Sequence, residues 1–237
     1  MELGLSGRRV VVTGGTGALG SAVVGLLLSE GAHCVVTCLE KKELDRFPHA
    51  GREGIEIVEG VDLADEPGVE RLYARAAAGG LWGSVHIAGG FSMNPIEATT
   101  GTELDHLWRM NAATCFSCCR EAVRAMRRGG RGGRIVNVAA RPGLIPEMGA
   151  GMVAYTVTKA AVAALTRSLA AEGAGEGIWV SAVAPSIMDT PANRAAMPKA
   201  DPGAWPKLDE VAATIVFLAS PANAVTRGAV VPVYGRA

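Results

Sequence analysis

Apolar positions along this chain fall into short β-branched runs that alternate with longer stretches of helical period. The run Arg8-Arg9-Val10-Val11-Val12-Thr13 predicts a buried strand, too short for a helix and closed by glycine. Residues 21–30 follow with apolar side chains at helical spacing and stop at Gly31. The same alternation predicts strands over 32–38, 54–59, 81–88, 134–139, 178–184 and 229–233. It predicts helices over 65–78 with Asp65 as N-cap, over 102–128, from Tyr155 to about 174, and over 208–220. Short, uniformly hydrophobic strands between helices read as a parallel sheet covered on both faces. We therefore expect an α/β fold, a single doubly wound Rossmann domain over 1–237 with about seven parallel strands. A mobile substrate lobe is expected around 188–207, where proline, alanine and methionine gather.

Composition narrows the function classes. Hydrophobic residues make up 49% of the chain and the formal net charge is zero. A core is affordable, and no basic excess points to nucleic acid. No apolar run is long enough to span a membrane, and Met1-Glu2-Leu3-Gly4 has no secretory pattern. Five cysteines, an odd number, do not read as a disulfide framework, so a cytoplasmic location is expected. Cys115, Cys118 and Cys119 share one helix face. With no further ligand run in view, they read as buried packing, and no metal site is expected.

Two stretches carry candidate chemistry. The first strand runs directly into Gly14-Gly15-Thr16-Gly17-Ala18-Leu19-Gly20 and then a helix. Glycines let backbone N–H groups approach a pyrophosphate, and the helix N-terminus adds positive potential. The second is Tyr155 and Lys159, four residues apart and so on one helix face. An ammonium beside a phenol favours the phenolate, so the two can form a proton-transfer pair near neutral pH. The second strand ends in Cys38-Leu39-Glu40-Lys41-Lys42, which holds both an acid for a ribose and bases for a phosphate. The choice between NAD and NADP stays open. His86 reads as a packed histidine, and Arg194 as either a substrate contact or a solvated cation.

These motifs in this order resemble the short-chain dehydrogenase/reductase family over essentially the whole chain. Thr13 to Gly20 resembles its T-G-x-x-x-G-x-G turn, with Ala18 in place of the middle glycine. His86-Ile87-Ala88-Gly89 lies where the family has N-N-A-G. Pro185-Ser186-Ile187-Met188-Asp189-Thr190 resembles P-G-x-x-x-T. The resemblance implies a cofactor site of Gly14, Thr16, Ala18, Leu19, Gly20, Asp62, Leu63, Ala88, Gly89, Lys159, Pro185, Ile187 and Thr190. Within it, Asp62 would meet the adenine, and Ile187 and Thr190 the nicotinamide carboxamide. It implies Tyr155 as general acid or base, Lys159 on the nicotinamide ribose and Asn111 holding a relay water. The family's catalytic serine falls at Ala140, which cannot donate a hydrogen bond to an oxyanion. The segment 188–201 with Trp205, together with Ala139 and Ala140, resembles the quinonoid dihydropteridine reductases, a branch that also lacks the serine.

The expected function is hydride transfer between NAD or NADP and a small carbonyl or quinonoid, imine-like substrate, without the serine. The alternative is a dinucleotide-binding regulatory or scaffold protein that lost the chemistry. A weaker third reading is a dehydratase or epimerase. The family further implies a homodimer or homotetramer, and the alanines at 160, 161, 163 and 164 suit close helix packing.

Overall fold

The structure, a computed structural model, describes residues 2–236; Met1 and Ala237 of the expected 1–237 domain lie outside them. Seven strands form one sheet: β1 (Arg9–Thr13), β2 (His33–Cys38), β3 (Ile55–Glu59), β4 (Leu81–His86), β5 (Gly133–Val138), β6 (Ile178–Pro185) and β7 (Val230–Val233). Their order is β3-β2-β1-β4-β5-β6-β7 and every pairing is parallel. Chain order reverses between β1 and β4. The connections leaving these two strands therefore diverge and open a crevice at their C-terminal ends.

Alternation along the strands fixes which side chain meets which layer. Val11, Val35 and Ile135 face α2 (Glu66–Ala78), α4 (Thr114–Gly129) and α6 (Val153–Glu172). Val10, Val12, Val36 and Val136 face α1 (Ala18–Ser29) and α8 (Leu208–Ala219). Each fully buried valine contributes roughly 1.5–3 kcal/mol, so a one-residue slip would exchange two cores at once.

The expected strands and helices are present with ends moved by a few residues. Asp65 is the N-cap of α2, its carboxylate accepting from the Gly68 N–H at 2.9 Å. The first helix begins at Ala18 rather than 21, because Gly17 is already its N-cap. The stretch expected as one helix over 102–128 is α3 (Gly101–Trp108), a π turn (Arg109–Ala113) and α4. The π turn keeps the chain helical throughout, so from sequence the stretch reads as one helix. The lobe holds α7 (Pro191–Ala196) and a 3₁₀ turn (Pro202–Ala204), labelled after the short α5 (Arg141–Leu144). Trp205 is buried, Asp189 N–H to Pro206 O joins the two ends of the lobe, and Arg236 N–H to Ala204 O ties it to the segment after β7. Ala163 of the alanine face packs into the core; Ala160 and Ala161 are half-buried and Ala164 is exposed.

Candidate active site

The glycine turn and the end of β4 meet in the crevice. Gly14 sits at φ +65°, and a Cβ there would come within 2.7 Å of the Ala88 nitrogen. Only glycine allows the β1 turn to lie this close to the Ala88-Gly89 backbone. A cleft of about 490 Å³ opens here, lined by Gly14, Asp62, Leu63, Ala88 and Gly89 among others. Five of the expected cofactor residues thus share one wall system. Ala18, Leu19 and Gly20 form the first turn of α1, whose N-cap glycine offers no side chain to its free N–H groups. An uncapped helix N-terminus beside a glycine turn fits the pyrophosphate of a dinucleotide.

A second group converges on Gly89-Gly90-Phe91, the segment that leaves β4. Asn111 is buried on the π turn, which turns its amide towards Gly90. Its Nδ2 donates to Gly90 O at 3.0 Å and to Thr158 Oγ1 at 3.1 Å, and its Oδ1 accepts from Gly90 N–H at 2.9 Å. The side chain of Asn111 therefore clamps this segment, a role the sequence did not suggest. Tyr155, in the first turn of α6, meets Phe91 edge to face at 5.0 Å between ring centres. The Lys159 amino group lies 3.4 Å from where a Cβ on Gly89 would stand. Tyr155 and Asn111 thus touch residues 90–91, and the Lys159 amino group stands near Gly89.

The electrostatics differ from the expected pair. Burial raises the Tyr155 phenol to about 12, and burial lowers Lys159 to about 8, with Cys115 opposing that fall. The Lys159 ammonium donates to Val138 O at 2.9 Å. No depression of the phenol by Lys159 is present, because that amino group is turned to a backbone carbonyl and desolvation dominates both groups.

Ala140 is buried at the end of β5, as N-cap of α5, and brings only a methyl group to the position of the expected serine. Pro185 is buried at the end of β6. Ile187 is exposed, and Thr190 caps α7 with its hydroxyl accepting from Asn193 N–H at 3.1 Å. These three stand at the same edge of the sheet as the cleft but outside its lining. Arg194 is exposed and paired with Asp189 in a two-pronged contact at 2.6 and 2.8 Å within the lobe.

His86 is a packed residue, as its place at a strand end suggested. Its Nδ1 lies 2.8 Å from Asn137 Oδ1, and its Nε2 lies 2.8 Å from Ser84 Oγ and 3.1 Å from Tyr73 Oη. Asn137 donates through Nδ2 to Thr166, so its Oδ1 faces the ring and the imidazole carries its proton on Nδ1. Cys115 and Cys119 join it, with three potential metal-ligating atoms within 4.8 Å of one another. The cysteines thus do have a neighbour the sequence could not show. Both ring nitrogens are engaged, and the group forms a polar seam between sheet and α4. Sequence reasoning also missed Glu43, His106, Arg109 and Met110, which line the cleft. Their signal is tertiary, since none belongs to a glycine or Tyr-Lys motif.

Known proteins share this fold. The profile of the family described as short chain dehydrogenase matches residues 8–201. Galactitol 2-dehydrogenase of Rhizobium johnstonii is 35% identical over 97% of this chain and 94% of its own. The crystal structure of gox2181 superposes with a TM-score of 0.91 at 28% identity, covering 99% of this chain and 96% of that one. ElxO with NADP bound superposes with a TM-score of 0.88 at 26% identity, covering 96% and 97%. With the parallel sheet, the glycine turn at the switch point and a match across most of its length, this chain belongs to the short-chain dehydrogenase/reductase family of NAD(P)-dependent oxidoreductases.

Proposed function

We propose that this protein moves a hydride between a nicotinamide cofactor and a small carbonyl or quinonoid substrate, with Tyr155 as the proton donor, or acceptor in the reverse direction. The observation that carries this reading is the contact of Tyr155 and Asn111 with residues 90–91, with Lys159 near Gly89, beside the glycine turn. The cofactor supplies or accepts the hydride. The chain's own residues do the rest. The glycine turn and the free N–H groups of α1 hold the pyrophosphate, Asp62 and Leu63 flank the adenine, and Pro185, Ile187 and Thr190 border the nicotinamide. Asn111 fixes the loop under the reacting end, Lys159 holds the ribose, and Tyr155 gives its Oη proton to the substrate oxygen or nitrogen.

A phenol with its pKa near 12 is a weak acid, so protonation waits until basicity has developed on the substrate. With a methyl group at Ala140, Tyr155 is the donor we assign to the reacting atom. Removing a single oxyanion donor costs roughly 10²–10³ in rate. A substrate that accumulates little oxyanion, such as a quinonoid ring, tolerates that loss. Exposed Phe91, Met93, Ile145, Met148 and Ile187 lie on segments flanking Tyr155 and β6, which supports an apolar substrate body. No described helix is long and apolar enough to cross a membrane. A cytoplasmic enzyme that takes a freely diffusing substrate is our reading.

The test is oxidation of NADH and NADPH with quinonoid dihydropterin and a panel of ketones and aldehydes. Tyr155→Phe should lower kcat by about 10²–10⁴, the range for a lost general acid. Ala140→Ser should leave the rate on ordinary ketones similar or raise it. Unchanged turnover in Tyr155→Phe refutes the mechanism, and binding without oxidation of any substrate favours the regulatory reading.

A further inference from the structure

The cleft contains an acid that no motif announces. Position 38, where β2 ends, is Cys38, which is buried and donates its thiol to Glu40 O at 3.0 Å. Leu39 follows, and it lines the cleft without a charge. Glu40 is engaged with Lys42 in an exposed ion pair. The end of the strand therefore presents neither an acid nor a base to the cleft. The 3₁₀ turn that comes next (Lys41–Arg46) carries Glu43 back over it. Half-buried Glu43 lines the cleft with Gly14, Asp62 and Leu63. One carboxylate oxygen accepts from the Thr16 hydroxyl in the glycine turn, and the other from Glu40 N–H at 2.9 Å. This group is pinned at both oxygens between the turn and β2. Burial pushes its pKa up, but the hydrogen bonds from Thr16 and the backbone, with Lys42, outweigh that and hold it below the ordinary value. It is an anion at neutral pH.

We propose that Glu43 is the residue that sets cofactor choice, accepting hydrogen bonds from the adenosine ribose diol of NAD and repelling the 2′-phosphate of NADP. The inference rests on the dinucleotide reading above. An acid near the end of the second strand discriminates by bonding the 2′-hydroxyl, and a like charge at the same place opposes a phosphate. Here that acid comes from the following turn and is held there by Thr16. The Arg109 guanidinium and the His106 ring of the cleft come from the π turn and α3 rather than from the edge that Glu43 and Thr16 share. Lys41 is exposed and does not line the cleft, and Lys42 is paired with Glu40.

The experiment is titration of the full-length protein with NADH and NADPH, following nicotinamide fluorescence, for wild type and Glu43→Gln. Wild type should bind NADH about tenfold or more tightly than NADPH, and Glu43→Gln should shrink that ratio by about tenfold. A wild type that prefers NADPH, or an unchanged ratio in Glu43→Gln, overturns the assignment while leaving the dinucleotide site intact. Binding of neither cofactor overturns the site itself and this inference with it. Glu43 also closes the cap of its turn, so the variant could fail to fold. Displacement of NADH from wild type by adenosine 5′-monophosphate and by adenosine 2′-monophosphate then reads the same choice. Stronger displacement by the 5′-monophosphate supports the assignment, and stronger displacement by the 2′-monophosphate overturns it.

Discussion

A single methyl group on Gly89 probes whether the loop after β4 is as tightly held as the site requires. Gly89 is not one of the glycines at positive φ, so the cost of Gly89→Ala is steric. The new Cβ would stand 2.5 Å from Asn111 Oδ1 and 3.4 Å from Lys159 Nζ. Real carbon–oxygen contacts are about 1 Å longer, and the methyl or the amide must give way. Asn111 is buried and held by its bonds to Gly90 N–H, Gly90 O and Thr158 Oγ1, so it has no free rotamer to adopt. Overpacking of this kind costs about 1–3 kcal/mol, and each hydrogen bond lost adds about 1 kcal/mol. A total of roughly 2–4 kcal/mol corresponds to a fall in Tm of roughly 4–16 °C for a chain of this size. Thermal denaturation followed by circular dichroism measures it. Combining Gly89→Ala with Asn111→Ala should cost less than the sum of the two, by about 1 kcal/mol or more, because the second change removes the obstacle. A Gly89→Ala protein that melts within about 1 °C of wild type, or a strictly additive pair, refutes the clamp.

Two further outcomes follow from burial. Lys159 has a folded pKa near 8 against an ordinary value of 10.5, so between these the unfolded chain binds more protons and stability rises with pH. The gain from pH 8 to pH 10 is about 2 kcal/mol; Tyr155, raised to about 12, opposes it only above pH 10. Lys159→Met should flatten the dependence of Tm on pH in that window, and an unchanged slope refutes the assignment. Leu104 and Trp108 on α3, Phe116 on α4 and Val153 and Val157 on α6 are exposed, and α3 packs against α6. We propose this face as the contact of a homodimer or homotetramer. Sedimentation should show that assembly, and Trp108→Glu should shift it towards monomer; a monomeric wild type at micromolar concentration refutes it.

The sequence by itself determined the sheet and its covering layers. Runs such as Val10-Val11-Val12 can be satisfied only between two apolar layers, and strand-glycine-helix order places the turn at a strand end. Strand-end offsets also brought Gly14 and Ala88 to one crevice, whereas Asp62 was expected there from the family resemblance. Pairwise electrostatics were not legible. The expected Tyr155–Lys159 coupling assumed two side chains on one helix face reaching the same spot. The structure instead gives Lys159 a backbone acceptor from β5 and dries both groups, which only packing of α6 on the sheet can decide. The aim of Asn111 depends on a π turn that the reading of one continuous helix did not resolve. His86 gained its partners from β5, α2 and α4, elements far from it in sequence. Glu43 reaches the cleft because a 3₁₀ turn folds back onto Thr16, a contact across 27 residues. Local periodicity records what each residue must bury. Which polar groups then face one another is fixed by contacts between distant elements, and these exist only once the layers have closed.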